Sequence, residues 1–405
     1  MSDSALRLAK KFIPIRVFKF FQPLYHYLLA FCGAVIYSFP SRGVKVVGVT
    51  GTSGKTTTVE FLYAIFSEAG KKTASFSGLQ ENIMGAKKQN LLKMTMPGRF
   101  RMQKFLYDAK KAGCEYVFFE VTSEGIKQYR HRFMKFYAGI FTNLSKEHIE
   151  AHGSFENYRA AKGEFFKACP LVILNREDTN FEYFDNISNG KKIYFRRNDL
   201  PPGLSLKITG EFNKMNAAAA LAFAKHEEIS EEGALKTLER INVLPGRMEF
   251  VDLRSEERKK FKVVVDYAFI PAVLKKVYET LKKEGESNLI CVLGAAGGGR
   301  DKWKRPELGN TAAEYCKKVI VTNEDPYDED PQAIINEIAG QHTFLKILDR
   351  RDAIREALKL AEEGDTVVIT GKGAEPWIMG PNGTKIKWDD REVVREELEK
   401  INSAR

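Results

Sequence analysis

The sequence is poor in cysteine, and its five cysteines, Cys32, Cys114, Cys169, Cys291 and Cys316, are odd in number and scattered. That pattern fits neither a disulfide framework nor a zinc site, and it predicts core thiols in a reducing compartment. Internal repeats and low-complexity runs are lacking. With 43% apolar and 29% charged residues, this excludes wholesale disorder. Long blocks of Lys and Arg interleaved with aromatic residues are also lacking, so no nucleic acid is expected as a partner. Lys and Arg (64) nevertheless outnumber Asp and Glu (53), a net charge of +11 that predicts a generally basic surface. No small-residue cleavage site follows the apolar stretch near the N-terminus, which disfavours a secretory signal.

What is present begins with that stretch. Arg7, Lys10, Lys11, Arg16 and Lys19 precede an uncharged run from Phe20 to Pro40. Its cleanest part, Leu24 to Phe39, is a little short of the ~20 residues that span a bilayer. With basic flanks held inside, a span would carry the rest of the chain out of the cytoplasm. Two readings remain for residues 1–43: an interfacial helix on the cytoplasmic leaflet with its basic residues on lipid headgroups, or a helical pair docked on the domain. At ~100–200 residues per domain, the 405-residue chain accommodates domains at 44–245 and 246–405.

Val44 to Val49 reads as a buried strand, and Val59 to Phe66 has helical apolar spacing. Between them stands Gly48-x-x-Gly51-x-x-Gly54-Lys55-Thr56. Val49 occupies the position where the commonest P-loop wording has glycine, but the physics of a phosphate cradle is retained. Backbone amides and the helix start face the anion, Lys55 reaches the β/γ-phosphates, and the Thr56 hydroxyl is placed for Mg²⁺. Glu120 ends the strand-like YVFFE, Asn143 ends the next strand, and in α/β sheets such positions converge on the ligand. His148 and Glu120 are candidate metal ligands or substrate contacts. Lys162, taken alone in its Ala-Ala-Lys helix, reads as a solvated lysine.

In order and spacing, GVTGTSGKTTT, FTNLSKEHIEAHGSFENYRAAK, GEFNKMNAAAA, LPGRME, DYAFIP, GGGRDKWKRPELG, NEDPYDEDP and GKGAE resemble the Mur ligases, and most of all the MurE type. The resemblance spans roughly residues 44–400 and implies an α/β fold: a P-loop central domain with a mostly parallel sheet and flanking helices, then a Rossmann-like C-terminal domain. It implies that Gly51, Thr52, Ser53, Gly54, Lys55, Thr56 and Thr57 bind ATP phosphates, and that Thr56 and Glu120 hold Mg²⁺. His148 and a carbamylated Lys162 would hold a second ion. Asn143 and Asn216 would serve the nucleotide, Asp266 the ribose, and Arg247 the γ-phosphate across the interdomain cleft. Thr95, Ser123 and Arg130 would lie along a muramyl peptide. Arg300, Glu324, Asp325, Lys372 and Glu375 would receive an amino acid.

The implied reaction is ATP-dependent amide formation through an acyl phosphate, catalysed by a cytoplasmic, monomeric enzyme, peripheral on the membrane if residues 1–40 lie on its surface. Four departures stand against the family pattern. Its UDP-binding N-terminal domain has no counterpart in residues 1–43. Tyr327 replaces the arginine expected to grip the distal carboxylate of diaminopimelate, favouring lysine or another diamine. Phe269 replaces a histidine. Glu124 and Ala374 replace two others. Amidation of a lipid-linked precursor in the manner of the MurT type, and a catalytically silent nucleotide-binding scaffold, are the alternative readings.

Overall fold

The computed structural model describes residues 15–92, 94–253, 261–283 and 288–403, with side chains from residue 20 onward. Arg7, Lys10 and Lys11 lie outside the described residues, as do the side chains of Arg16 and Lys19.

The valine-rich run at 45–50 forms strand β1 (Lys45–Thr50), followed by β2 (Thr73–Phe76), β3 (Gln80–Ile83), β4 (Ala86–Gln89), β5 (Tyr116–Glu120), β6 (Phe136–Phe141), β7 (Leu171–Asn175) and β8 (Lys191–Phe195). They make one sheet in the order β4-β3-β2-β5-β1-β6-β7-β8, parallel except for the antiparallel edge β3 and β4. β1 is buried nearly end to end because helices cover both faces, the usual condition of a parallel sheet. Its two neighbours are β5, with Val49 opposite Glu120, and β6, with Thr50 opposite Phe141. This register sets Glu120 and the residues after Phe141 on either side of the turn that follows β1.

The second sheet contains β9 (Glu249–Phe250), β10 (Lys262–Asp266), β11 (Leu289–Leu293), β12 (Lys318–Val321), β13 (Leu345–Lys346) and β14 (Thr366–Thr370). Its order is β13-β12-β11-β14-β10-β9, parallel apart from β9. The change from the first apolar core to the second falls between Leu244 and Met248. A buried ion pair stitches this unit together: Arg350 grips Asp390 in a fork at 2.8 and 2.7 Å while also donating to the Thr370 carbonyl. Removing one partner strands a charge in the core, so Asp390→Ala is expected to cost about 3–5 kcal/mol. The measurement is a lowered denaturant midpoint with an unchanged m value.

One expectation needs correction. Cys291 on β11 and Cys316, just past the helix Lys304–Tyr315, form a disulfide with Cα atoms 6.1 Å apart. The chain returns through that helix to lay β12 beside β11, a closeness that 25 residues of sequence separation conceal. Cys114 and Cys169 are buried thiols as expected, but Cys32 is exposed. Near the N-terminus the described residues form the helix Ile15–Ile36, running through Pro23, and the rest of the expected helical pair lies outside the described residues. Among the described residues no helix is long and apolar enough to cross a membrane.

Candidate active site

The carboxyl ends of both sheets line a single cleft of about 740 Å³. At its floor the turn after β1 leads into the helix Lys55–Glu68. Gly51 has no room for a side chain, since a Cβ there would lie 1.9 Å from the Thr142 hydroxyl. Gly54 sits at φ 80°, a left-handed conformation that glycine adopts without strain, and Asn216 packs directly over it. Asn143 brackets the loop: its side-chain oxygen accepts from the Ser53 amide and hydroxyl at 3.1 Å, and its amide donates to the Ser53 carbonyl. Lys55 folds back onto the Gly51 and Thr52 carbonyls, both at 3.0 Å, and burial lowers its pKa.

On one flank the Thr56 hydroxyl donates to Glu120 Oε1 at 2.7 Å, and the Gly78 amide donates to the same oxygen at 2.6 Å. Thr95 is part of this group, because a Cβ built on Gly78 would lie 3.5–3.6 Å from Glu120, Thr56 and Thr95 alike. On the other flank Lys162 is fully buried, with Nζ 3.0 Å from the Gly51 carbonyl and 4.9 Å from the centre of the Tyr158 ring. Burial, and then the charge of Lys55, hold its amine well below the usual lysine range. The reading of an isolated solvated lysine is therefore corrected: the helix Phe155–Lys167 turns this residue inward. His148 lies with its ring centre 5.9 Å from that of Tyr158 and has its pKa pushed down to about 2, by burial and then by Arg300, so its imidazole is neutral.

These groups suit divalent cations. A hydroxyl and a carboxylate meet at Thr56 and Glu120, a neutral imidazole stands at His148, and Glu147 Oε2 is buried without a hydrogen-bond partner. Among the described residues no three His, Cys, Asp or Glu side chains cluster tightly enough to hold a metal alone. Mg²⁺ ordinarily takes one or two protein ligands and completes its shell with phosphate and water oxygens.

The second domain closes the cleft with its own side chains. Arg247 lies 4.4 Å above the Tyr267 ring and donates to the Thr56 hydroxyl at 3.3 Å. Lys304 pairs with Glu147 at 3.1 Å, both buried. Asp301 accepts from the Ile149 and Glu150 amides at 3.1 and 2.9 Å, fixing the turn in which His148 holds a left-handed φ of 56°. Asp266 spends an oxygen on each of the Met248 and Ala268 amides, at 2.7 Å.

Not every expected substrate contact reaches the cleft. Thr95, Arg130, Arg300, Lys372 and Glu375 line it, together with Thr122 and Glu124, whereas Ser123 is buried behind them. The acidic set read as a receptor for a cationic amine already has a cation within it. Lys372 Nζ binds Asp325 at 3.0 and 3.1 Å and Glu375 at 2.7 Å, and Glu324 is buried beneath this group. Glu375 also accepts from the Tyr267 hydroxyl at 3.0 Å. Sequence reasoning missed Glu147, Asp301 and Lys304, although all three stand inside quoted motifs. Their charged pattern carried no sign that they meet across the interdomain cleft.

The profile described as Mur ligase middle domain matches residues 49–203, and that described as Mur ligase, glutamate ligase domain, matches residues 246–373. A UDP-N-acetylmuramoyl-L-alanyl-D-glutamate–2,6-diaminopimelate ligase from Syntrophomonas wolfei is 35% identical over 91% of this chain and 81% of its own. The chain belongs to the Mur ligase family. A UDP-N-acetylmuramyl-tripeptide synthetase from a Roseiflexus species is 34% identical over 92% of this chain and 82% of its own. Among solved structures, a UDP-N-acetylmuramoyl-L-alanyl-D-glutamate–2,6-diaminopimelate ligase superposes with a TM-score of 0.57 at 26% identity, covering 89% of this chain and 79% of that one. Folylpolyglutamate synthase from Mycobacterium tuberculosis reaches 0.71 at 16% identity over 85% and 92%, a likeness of fold. Mur ligases are ATP-dependent enzymes that form amide bonds, and this chain carries both of the family's matched domains.

Proposed function

We propose that the protein joins an amino acid to a muramyl-peptide carboxylate in the synthesis of peptidoglycan precursors, working as a monomer on the cytoplasmic side of the membrane. What supports this most is the convergence of the phosphate turn, the Thr56–Glu120 pair, buried Lys162 with His148, and Arg247 from the second domain on one cleft. A carboxylate oxygen of the acceptor attacks the γ-phosphorus of ATP, and ADP leaves. The neutral amine then attacks the acyl-phosphate carbon, phosphate departs, and the amine proton passes to solvent.

Helix-start amides and Lys55 hold the phosphates, Arg247 offsets charge on the γ-phosphoryl group, and Arg130 suits the acceptor's carboxylate through its fork. Thr56 and Glu120 would hold one Mg²⁺, and His148 with a carbamylated Lys162 a second, and these ions would supply charge neutralisation. Asn216 and Asp266 border the nucleoside. Closure by Arg247, Asp301 and Lys304 keeps water from the acyl phosphate.

Arg300 receives the incoming α-carboxylate and Glu375 the amine. Tyr327 offers no cation to a distal carboxylate, and a charged hydrogen bond contributes ~1.5–3 kcal/mol. Lysine or ornithine is therefore expected to exceed diaminopimelate by roughly tenfold in kcat/KM. Phosphate release is measured with UDP-muramyl-dipeptide and each amine separately, ammonia included. Release that needs both acceptor and one amine supports the reading. Release with ammonia alone transfers it to amidation, and silence with every pair refutes it for a UDP-linked acceptor.

A further inference from the structure

The helix Ile15–Ile36 has two unlike faces. Toward the domain, Ala30 and Ala34 are fully buried, and a Cβ built on Gly33 would lie 3.6 Å from the Phe100 backbone. Small residues at this spacing let the helix lie close against the helix Arg99–Lys111. The outward face exposes Phe20 (78%), Phe21, Leu24, Leu28, Phe31, Val35 and Ile36 (64%). No charged residue occurs from Phe20 to Ile36. A solvated helix face is ordinarily polar, and a contiguous apolar patch of this kind marks an interaction surface.

Electrostatics narrow the partner. No Asp or Glu occurs between Asp3 and Glu60, while that interval holds Arg7, Lys10, Lys11, Arg16, Lys19, Arg42, Lys45 and Lys55. Beside the apolar face the Phe133 ring touches Tyr27 and Phe31 at 5.0 and 5.3 Å, and its chain neighbours Arg132 and Lys135 are exposed. Exposed Arg42 lies 4.5 Å over the Phe39 ring, and exposed Lys110 approaches Gly43. The nearby Asp108 is tied to Lys104 at 2.5 Å.

We propose that this face docks the protein on an anionic phospholipid surface, with the apolar side chains at the acyl boundary and the basic fringe on the headgroups. The inner face is occupied by the domain, so the helix lies along the surface. Docking also sets the position of the cleft. His26, on the inner side, is held neutral by burial and then by the charges of Arg99 and Arg130, its pKa pushed down to about 4. Arg130 lines the cleft, and exposed Met94 places its sulfur 3.7 Å from that guanidinium. The acceptor side of the cleft therefore opens beside the lipid.

The test is co-sedimentation of the full chain with phosphatidylglycerol–phosphatidylethanolamine vesicles and with phosphatidylcholine vesicles, alongside analytical ultracentrifugation without lipid. It needs no turnover and is decided separately from the ligase reading. Wild type should partition onto the anionic vesicles and lose most of that binding on phosphatidylcholine or at raised salt. Phe20→Ser/Leu24→Ser/Leu28→Ser should lower partitioning at least tenfold. Arg42→Glu/Arg132→Glu/Lys135→Glu, which leaves the apolar face intact, should lower it severalfold and reports independently if the first variant misfolds. Wild type remaining in the supernatant with both vesicles overturns the proposal. So does a wild-type dimer that the serine variant disperses, which would make the face an interface between copies of this chain.

Discussion

Lys162→Ala is expected to abolish turnover, a fall in kcat of roughly 10²–10³-fold or more, with partial rescue by a small carboxylate such as formate. The side chain is fully buried and lies 3.0 Å from a carbonyl of the phosphate turn. Its amine is held well below the usual lysine range by burial and by Lys55. A cation at this point would repel Lys55 and any metal brought to the γ-phosphate. A neutral amine has an electron pair to give, and dissolved carbon dioxide accepts it: the N–C bond forms, one proton goes to solvent, and the product presents two oxygens that share one negative charge. The burial that depresses the pKa keeps the amine in the form that reacts, and the neighbouring Lys55 charge offsets the cost of burying the anion. Wild-type activity should fall in carbon dioxide-depleted buffer, and ¹³C-labelled carbon dioxide should give a carbamate resonance that is lost in Lys162→Ala. Full activity in that variant, or no such resonance in an active wild type, would remove the carbamate from the reading.

Strand positions were legible where burial is two-sided, since runs such as KVVGVT, YVFFE and TVVIT must be covered by helices on both faces. The phosphate turn was legible for a local reason: closely spaced glycines before Gly54-Lys55-Thr56 have few other uses. Lys162 shows the limit of local reading. Its helix has charged and apolar residues on several sides, and only the packing of Tyr158 and the turn after β1 decides that it points inward. The paired acids are a second case. Asp325 and Glu375 read as open anions until β14 brings Lys372 between them. Cys291 and Cys316, 25 residues apart, are a third, brought together by a crossover that no spacing rule announces.

Arg247→Ala is expected to lower kcat by about 10³–10⁵-fold, the range for an arginine that meets a transferring phosphoryl group from outside the phosphate loop. The KM for ATP should change far less, because loop amides and Lys55 remain. Arg247 follows Gly246, whose φ of 62° turns the chain where a Cβ would lie 2.2 Å from the Ala374 amide. The next residue, Met248, is anchored by Asp266, and the Tyr267 ring supports the guanidinium at 4.4 Å. Both attachments belong to the second domain, while the tip reaches Thr56 of the first. Arg247 is thus in place only when the domains are closed, which couples phosphoryl transfer to exclusion of water. Arg247→Lys should not restore the rate, since an ammonium neither stacks on the ring in the same way nor spans two phosphate oxygens. A kcat within threefold of wild type in either variant would sever this coupling and leave Lys55 and the metal ions to carry the charge alone.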